Sequence, residues 1–566
     1  MRQAAAAFLV WCLLFAILVG TRHYTFSSAI VHDEGVFLYG GMAWAAGEVP
    51  YRDFWDHKPP GITLFHSIPI RLFGYSILAI RLHEIFWLAV SATIFFYLCR
   101  AHLSAPIAVV SVLFYCFFVS IKLIMRSGGL TEESALTFHA LSYLFALRPK
   151  GSLRLNFFLS GLSLGLAAQF RQPFGVSVIF VVLCLLWRPE ESPLPFSKKV
   201  RLLVFLALGA ALPEAVCSAY FLAKGIWHEY IEASYLFSFV YMAGTLDPDV
   251  LSFKAALQKH WRIIQATGPY LISPALAAPL IWWLPARLRR VGVLMIVAFL
   301  CDAAAISLGG RYYEHYYVQV AVSSSFLLGL AFRAIAEGLR PASLSRRPIG
   351  EFTAAFHCGR AFGVTRFLLC LLVGALVLRI CVVSTADAVK QYFRQYKAEM
   401  ANRRQPSGEL RAEREIGKAI RTVTQRDDRI LLLGASPTSV YFAGQRLAGS
   451  RYYHLSPFFR KAFGKSMREE HRQRLMSDLI MRRPALIILA HEERQISFEG
   501  IGVVEKSAAS FILPFLNENY VPLETLYRLS KIRRNLGWTW YGRICSFLIR
   551  KDMAEALKRR LELEGG

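Results

Sequence analysis

The sequence predicts a polytopic α-helical membrane protein, with about eleven transmembrane helices and a C-terminal soluble α/β domain. Three observations carry that prediction. Of the 566 residues, 55% are hydrophobic, and they gather into repeated runs of about 18 or more, which soluble chains seldom show. The Lys and Arg residues between those runs concentrate in alternate loops. Beyond residue 384 the long runs stop, and two short aliphatic stretches, 429–434 and 485–490, stand among polar segments.

The elements follow in order. The first run, Ala4 to Gly20, has a thin positive flank in Arg2 and no small-residue cleavage site, so it reads as a retained span rather than a signal peptide. A polar loop, 22–79, comes next. Further spans are expected near 80–99, 105–122, 133–148, 155–170, 174–188, 202–221, 268–285, 291–308, 316–333 and 367–384. Several are shorter than the roughly 20 residues of a straight span, which implies short, tilted or broken helices. Alternation puts Arg100, Arg148 to Arg154, Lys198 to Arg201, Arg287 to Arg290 and the 333–366 loop on one side. These loops hold most of the loop Lys and Arg, so that side is cytoplasmic. The polar opening loop, the Gly128–Glu133 turn, Arg171, the 222–267 loop and Arg311 to His315 fall on the other. An odd number of spans sends the tail, 385–566, there too. The expectation is a plasma (inner) membrane protein. Its transmembrane module is 1–384, and its polar site and tail lie on the non-cytoplasmic, periplasmic side.

The net charge of +26 would point to nucleic acid in a soluble protein. Here much of the excess lies in short loops, where it reports orientation, and the basic tail suits anionic headgroups. Membrane lipids are expected partners; nucleic acid is not. Nine of the ten cysteines lie in or beside spans and only Cys545 in the tail, without disulfide or metal-binding spacing. In the tail the two aliphatic stretches read as buried strands. Gly434-Ala-Ser-Pro follows the first but lacks the further glycines and the lysine of a phosphate loop. The stretch Trp538 to Arg560 mixes aromatic and basic residues and suits either the membrane interface or an ordinary packing helix.

Chemistry is expected at Val31 to Gly61, VHDEGVFLYGGMAWAAGEVPYRDFWDHKPPG, because ionisable groups at a membrane edge are costly and usually functional. Asp33 and Glu34 can take a proton or hold a metal. Lys58 and Arg311 can neutralise phosphate oxygens, Arg in bidentate fashion and Lys as a point charge. His315 and its neighbours, in Gly309-Gly-Arg-Tyr-Tyr-Glu-His-Tyr-Tyr317, can bond a leaving group. A base beside a cationic cradle suits a lipid phosphate leaving a sugar while an acceptor hydroxyl loses its proton. Each residue also has a plainer reading. Asp33-Glu34 and Glu132 can cap helices, Lys58 can be a turn residue, and Arg52 and Asp53 can pair locally. Arg171 can snorkel, and Arg311 and His315 can anchor in a tyrosine belt.

The order of these pieces resembles the GT-C superfamily of membrane glycosyltransferases, especially its bacterial branch related to protein O-mannosyltransferases and the lipid A aminoarabinose transferase. The pieces are Asp33-Glu34, Gly47-Glu-Val-Pro-Tyr-Arg-Asp53, Lys58-Pro-Pro-Gly61, Phe73-Gly74 leading to Arg81-Leu82, and Thr131-Glu132-Glu133. After them come Gly161-Leu-Ser-Leu-Gly-Leu-Ala-Ala with Arg171-Gln-Pro, then Arg311 with His315-Tyr316, so that 1–335 is covered. The resemblance implies a polyprenyl-phosphate-linked sugar donor and transfer with inversion. It implies Asp33 as general base and Glu34 as the residue that orients base or acceptor. Lys58 and Arg311 would bind donor phosphate with Arg171 as a third, and Glu132 would hold the sugar or a divalent ion. The later acidic position is Glu where the family often has Asp, with Glu133 beside it. The acceptor stays open among an envelope lipid, a glycan and a protein. No cofactor is assigned; carboxylates can bind a divalent cation through oxygen, and Lys and Arg can act without one. The rival reading is a transporter or flippase of a lipid-linked or polar solute, which calls for polar groups at mid-depth and repeated halves. The sequence shows no internal repeat. The loop bearing Trp227, His228, Glu229 and Tyr230 is placed to close over a substrate.

Overall fold

Apolar length decides which helices can cross a bilayer. The computed structural model describes residues 2–30, 32–148, 151–187, 194–243, 252–338, 408–433, 438–454, 465–491, 510–523, 539–540 and 543–564. Its first part is helical: α1 (Arg2–Arg22), α2 (His32–Ala45), α3 (Gly61–Phe73), α4 (Ile77–His102), α5 (Ala105–Phe118), α6 (Lys122–Met125), α7 (Thr131–Leu147), α8 (Leu153–Ala168) and α9 (Val178–Leu186). Then come α10 (Phe196–Ala223), α11 (Trp227–Ile231), α12 (Phe237–Ala243), α13 (Phe253–Thr267), α14 (Pro269–Ala277), α15 (Ala286–Ser307) and α16 (Ala321–Gly338).

Among the described residues, five helices are long and apolar enough to span: Ala4–Phe26, Ile77–His102, Phe196–Ala223, Ala286–Ser307 and Glu314–Glu337. Three more apolar helices are shorter, Ala105–Phe118, Leu153–Ala168 and Gln172–Leu186. The run near 268–285 is broken: Gly268 takes φ +58, Pro274 lies inside α14, and a 3-10 turn follows at Ile281–Trp283. The positive φ of Gly268 ends α13, and Pro269, which lacks an N–H, begins α14. The run near 367–384 lies outside the described residues. Phe8, Leu9 and Leu13 of α1 and Val204, Leu208 and Val216 of α10 stand exposed, as helices facing lipid require.

Small residues bring α8 and α10 together. A methyl added at Gly161 would run into the carbonyl of Leu206, and one added at Gly165 would meet that of Ala210. Such close backbone approach is how helices associate in lipid. Inside the bundle, α15 carries one fully buried carboxylate, Asp302. It accepts hydrogen bonds from Tyr143 at 3.2 Å, Ser177 at 3.1 Å and Ser323 at 2.9 Å, and His139 stands 3.3 Å away. Buried polar groups so satisfied fix the register of the elements that carry them.

The C-terminal part has α17 (Gly408–Val423), β1 (Ile430–Leu433), α18 (Ser439–Gly444), α19 (Lys465–Arg482), β2 (Leu486–His491), α20 (Leu513–Asn519), β3 (Tyr520–Pro522), β4 (Thr539–Trp540), β5 (Arg543–Arg550) and α21 (Lys551–Glu564). The two aliphatic stretches are β1 and β2, paired in parallel. The sheet order is β1-β2-β5-β3, with β4 on β5. Residues 543–550 are therefore a strand held antiparallel between β2 and β3, where an interfacial stretch or a helix was expected. Its isoleucines and phenylalanine suit a strand, and ladder bonds on both sides hold it there. Gly434-Ala-Ser-Pro lies outside the described residues.

This sheet packs on the polar opening loop. Val36, Tyr39 and Phe54 share one core cluster with Ile430, Leu432, Tyr441 and Tyr453. The Trp55 amide donates to the Arg451 carbonyl at 2.8 Å, the Ala448 amide donates to the Tyr39 hydroxyl at 2.9 Å, and Arg429 pairs with Glu48 at 2.7 Å. The C-terminal sheet and the Asp33 turn thus share one side of the bundle.

Candidate active site

Asp33 and Glu34 occupy the first turn of α2, where free backbone N–H groups favour carboxylates. Their side chains part. Glu34 is fully buried and contacts Arg81 and Ser127. Arg81 also meets Glu84 at 3.3 Å, and Arg22 meets Glu133 at 2.7 Å. Three carboxylates and two guanidiniums thus surround the start of α2 with groups from α1, α4 and α7. Asp33, 40% exposed at its side chain, faces a different set.

His315 places Nε2 3.9 Å from Asp33 Oδ2 and 3.9 Å from Glu132 Oε1. Glu132, buried in the first turn of α7, pairs with Arg171 at 2.7 Å and accepts from Thr131 at 2.8 Å. The Arg171 guanidinium lies 3.6 Å over the ring of Tyr316, a cation–π contact strengthened by burial.

Lys58 joins this group through its backbone. Two prolines stiffen the turn after it, and the amide of Gly61 donates to the carbonyl of Gln169 at 2.9 Å. A Cβ at residue 61 would stand 2.5 Å from that carbonyl, so glycine allows the approach. Gln169 is two residues before Arg171, and the bond therefore draws Lys58 and Arg171 together. From the other flank, the Tyr51 hydroxyl donates to the Lys58 carbonyl at 2.9 Å and accepts from Ser234 at 2.9 Å. Ser234 sits in a π-helical turn, Glu232–Leu236, a local form frequent at functional sites.

The charges around this turn oppose one another. Burial pushes the Lys58 ammonium below its usual range and the charge of Arg171 adds to this, while Asp56, Glu132 and Asp33 oppose it. Burial alone would raise Asp56, but the hydrogen bond and charge of His57, with His454 and Lys58, hold it down at about 2. Asp56 is therefore a fixed negative neighbour of Lys58 at any ordinary pH.

The structure thus brings together Asp33, Lys58, Glu132, Arg171, His315 and Tyr316. Glu34 is turned into the buried ion network. Arg311 is buried four residues before His315 and donates to the Gly309 carbonyl at 3.4 Å. Arg52 pairs with Asp53 at 2.9 Å. The Trp227–Tyr230 segment packs on α10, where Trp227 donates to Ser218 at 3.3 Å and Tyr230 to Glu214 at 2.7 Å. Glu214, also bonded by Gln169 at 2.9 Å, escaped notice in the sequence. An acid inside an apolar run was the signal that could have found it. Among the described residues, no group of three or more His, Cys, Asp or Glu is placed to hold a metal ion.

The helical bundle with a small sheet on one side is a fold shared with solved structures of the GT-C superfamily. Residues 57–216 match the family model described as dolichyl-phosphate-mannose-protein mannosyltransferase, a stretch that includes Lys58, Glu132 and Arg171 but not Asp33 or His315. Among solved structures, the chain resembles ArnT from Cupriavidus metallidurans in the apo state, with TM-score 0.54 and 12% identity over 87% of this chain and 94% of that one. It resembles the same enzyme bound to undecaprenyl phosphate with TM-score 0.52 and 13% identity over 86% and 92%. No curated protein sequence matches the chain.

Proposed function

We propose that the chain is a multi-pass membrane glycosyltransferase that moves a sugar from a polyprenyl-phosphate donor to a cell-envelope acceptor, on the non-cytoplasmic face and with inversion. The observation that carries this reading is the convergence of an accessible Asp33 on Lys58, Arg171, Glu132 and His315. Asp33 takes the proton of the acceptor hydroxyl. The acceptor oxygen bonds to the anomeric carbon as the carbon–oxygen bond to phosphate breaks, and that electron pair leaves with the polyprenyl phosphate. Lys58, Arg311 and, as the third cation, Arg171 meet the charge developing on the phosphate. Glu132 and Tyr316 hold the Arg171 guanidinium between them. Glu34 anchors the α2 turn, so that the base is presented from a rigid element.

The likeness to a structure that holds undecaprenyl phosphate supports a lipid-phosphate donor. The transport alternative calls for a polar path at depth. The buried polar network around Asp302 meets that requirement in part, so the enzyme reading rests on the cluster at Asp33. The test is purified protein with a panel of radiolabelled polyprenyl-phosphate sugars, wild type against Asp33→Ala. Wild type is expected to release polyprenyl phosphate, and Asp33→Ala to do so about 10²–10⁴-fold more slowly with an unchanged melting curve. Wild-type turnover by Asp33→Ala would remove Asp33 as base. No release by wild type, with acceptor lipids and divalent ions supplied, would favour transport.

A further inference from the structure

A second charged cluster lies one ring away from His315. Glu314 is held between two cations, Arg126 at 3.3 Å and Lys259 at 3.4 Å. The Lys259 ammonium also stands 5.2 Å over the ring of Tyr313, which in turn stacks on His315 at 5.7 Å with the planes 7° apart. None of the three charged groups is sealed: the side chains of Arg126, Lys259 and Glu314 are 35%, 21% and 22% exposed. These pairs stay partly open to solvent, so an anion with better geometry can replace the carboxylate. Phosphate is such an anion, because it can meet the guanidinium in bidentate fashion and still offer a further oxygen to the ammonium. Two cations against one carboxylate leave the cluster with a surplus positive charge.

The helix that supplies Lys259 points to where the phosphate comes from. In α13, FKAALQKHWRIIQAT, there is no acidic residue. With about 100° per residue, Ala256, Ile263 and Thr267 form its buried edge, and Leu257 and Trp261, each 60% exposed, form an apolar edge. Lys259 and Arg262 lie on the opposite edge, and Lys254 is exposed between the two. A helix with one edge inward, one apolar edge exposed with a Trp, and one cationic edge suits the boundary between acyl chains and headgroups. It is tied to the turn before His315 by His260, whose ring lies 4.5 Å from that of Tyr312.

We propose that Arg126 and Lys259 form a seat for the phosphate of an anionic lipid headgroup in the leaflet on the Asp33 side, with Glu314 as the counter-ion that it displaces. Trp261 and Leu257, on the other edge of α13, enter the acyl layer and hold the helix at the boundary, and Lys254 and Arg262 add attraction to anionic headgroups. Because Glu314 and His315 are adjacent in the chain, an occupied seat borders the Asp33 cluster.

The experiment is native mass spectrometry of the purified full-length protein, reading retained phosphatidylglycerol against phosphatidylcholine, with inorganic phosphate as soluble competitor. Wild type is expected to keep phosphatidylglycerol severalfold over phosphatidylcholine, and Lys259→Gln and Arg126→Gln to lose that preference. Glu314→Gln frees both cations and is expected to raise retention severalfold, a gain that misfolding does not produce. Equal retention of the two lipids by wild type, or a Glu314→Gln protein no better than wild type, overturns the proposal. Displacement of the lipid by inorganic phosphate would assign the seat to free phosphate and overturn the lipid part. The readout involves no sugar donor and so stands apart from the transferase reading.

Discussion

Lys58 stands where burial and the charge of Arg171 both work against its ammonium, yet the phosphate it is assigned to bind needs that charge. The sign follows. The cationic form is the binding form, its pKa lies below that of an ordinary lysine, and the charge is lost as pH rises through that lowered value. The alkaline limb of kcat/KM for donor cleavage is therefore expected earlier than a free lysine would give. Lys58→Arg should move that limb upward, since a guanidinium stays charged past about pH 12, while Lys58→Met should lose activity at every pH. A pH profile of the three proteins checks this, and identical limbs in wild type and Lys58→Arg would remove Lys58 from the titration. Asp56, held at about 2, contributes no limb of its own near neutrality.

At the scale of elements, the site depends on how closely α8 approaches α10. The end of α8 carries Gln169, whose carbonyl receives the Gly61 amide, and Arg171 follows. Gly161→Val puts a branched side chain against the Leu206 carbonyl. Overpacking of this kind costs about 1–3 kcal/mol, so the melting temperature should fall. The displacement should also part Arg171 from Lys58, raising KM for the lipid-phosphate donor more than it lowers kcat. A stability loss with KM unchanged would separate the packing of α8 from the cradle. The sequence exposed the cradle because Asp33, Lys58, Glu132, Arg171 and His315 are ionisable residues beside apolar runs, where each stands out. It could not show that Glu34 turns inward, because that depends on Arg81, Ser127 and the neighbouring Arg22–Glu133 pair, distant in sequence. Nor could it place Arg543–Arg550 in a sheet: the isoleucines and phenylalanine suit a strand, but the ladders to β2 and β3 that hold it join separate parts of the chain.

Across the whole molecule, the C-terminal sheet is seated on the turn that bears Asp33, and one carboxyl reports on that seat. Glu413 of α17 is buried, accepts from Ser439 at 2.8 Å, and lies by the backbone of Ile30. Burial pushes its carboxyl up to about 7; the hydrogen bond from Ser439 opposes this, the charge of Glu34 adds to it, and the Ile30 backbone and Arg81 oppose it. A carboxyl raised in the folded state stabilises in its protonated form. That contribution is complete below the ordinary glutamate value and is lost as pH climbs through about 7. The shift corresponds to something on the order of 3 kcal/mol, enough to loosen one side of the seat without unfolding the bundle. Wild-type protein should therefore melt at falling temperature from about pH 5 to about pH 8, and the 385–566 segment should become easier to cut with protease over the same interval. Glu413→Gln, neutral throughout and able to accept from Ser439 as before, should flatten both curves. If the two proteins fall in parallel, other carboxyls set the pH dependence and the seat is held without Glu413. If only wild type falls, a single buried carboxyl in the C-terminal part governs how firmly that part rests on the turn bearing Asp33.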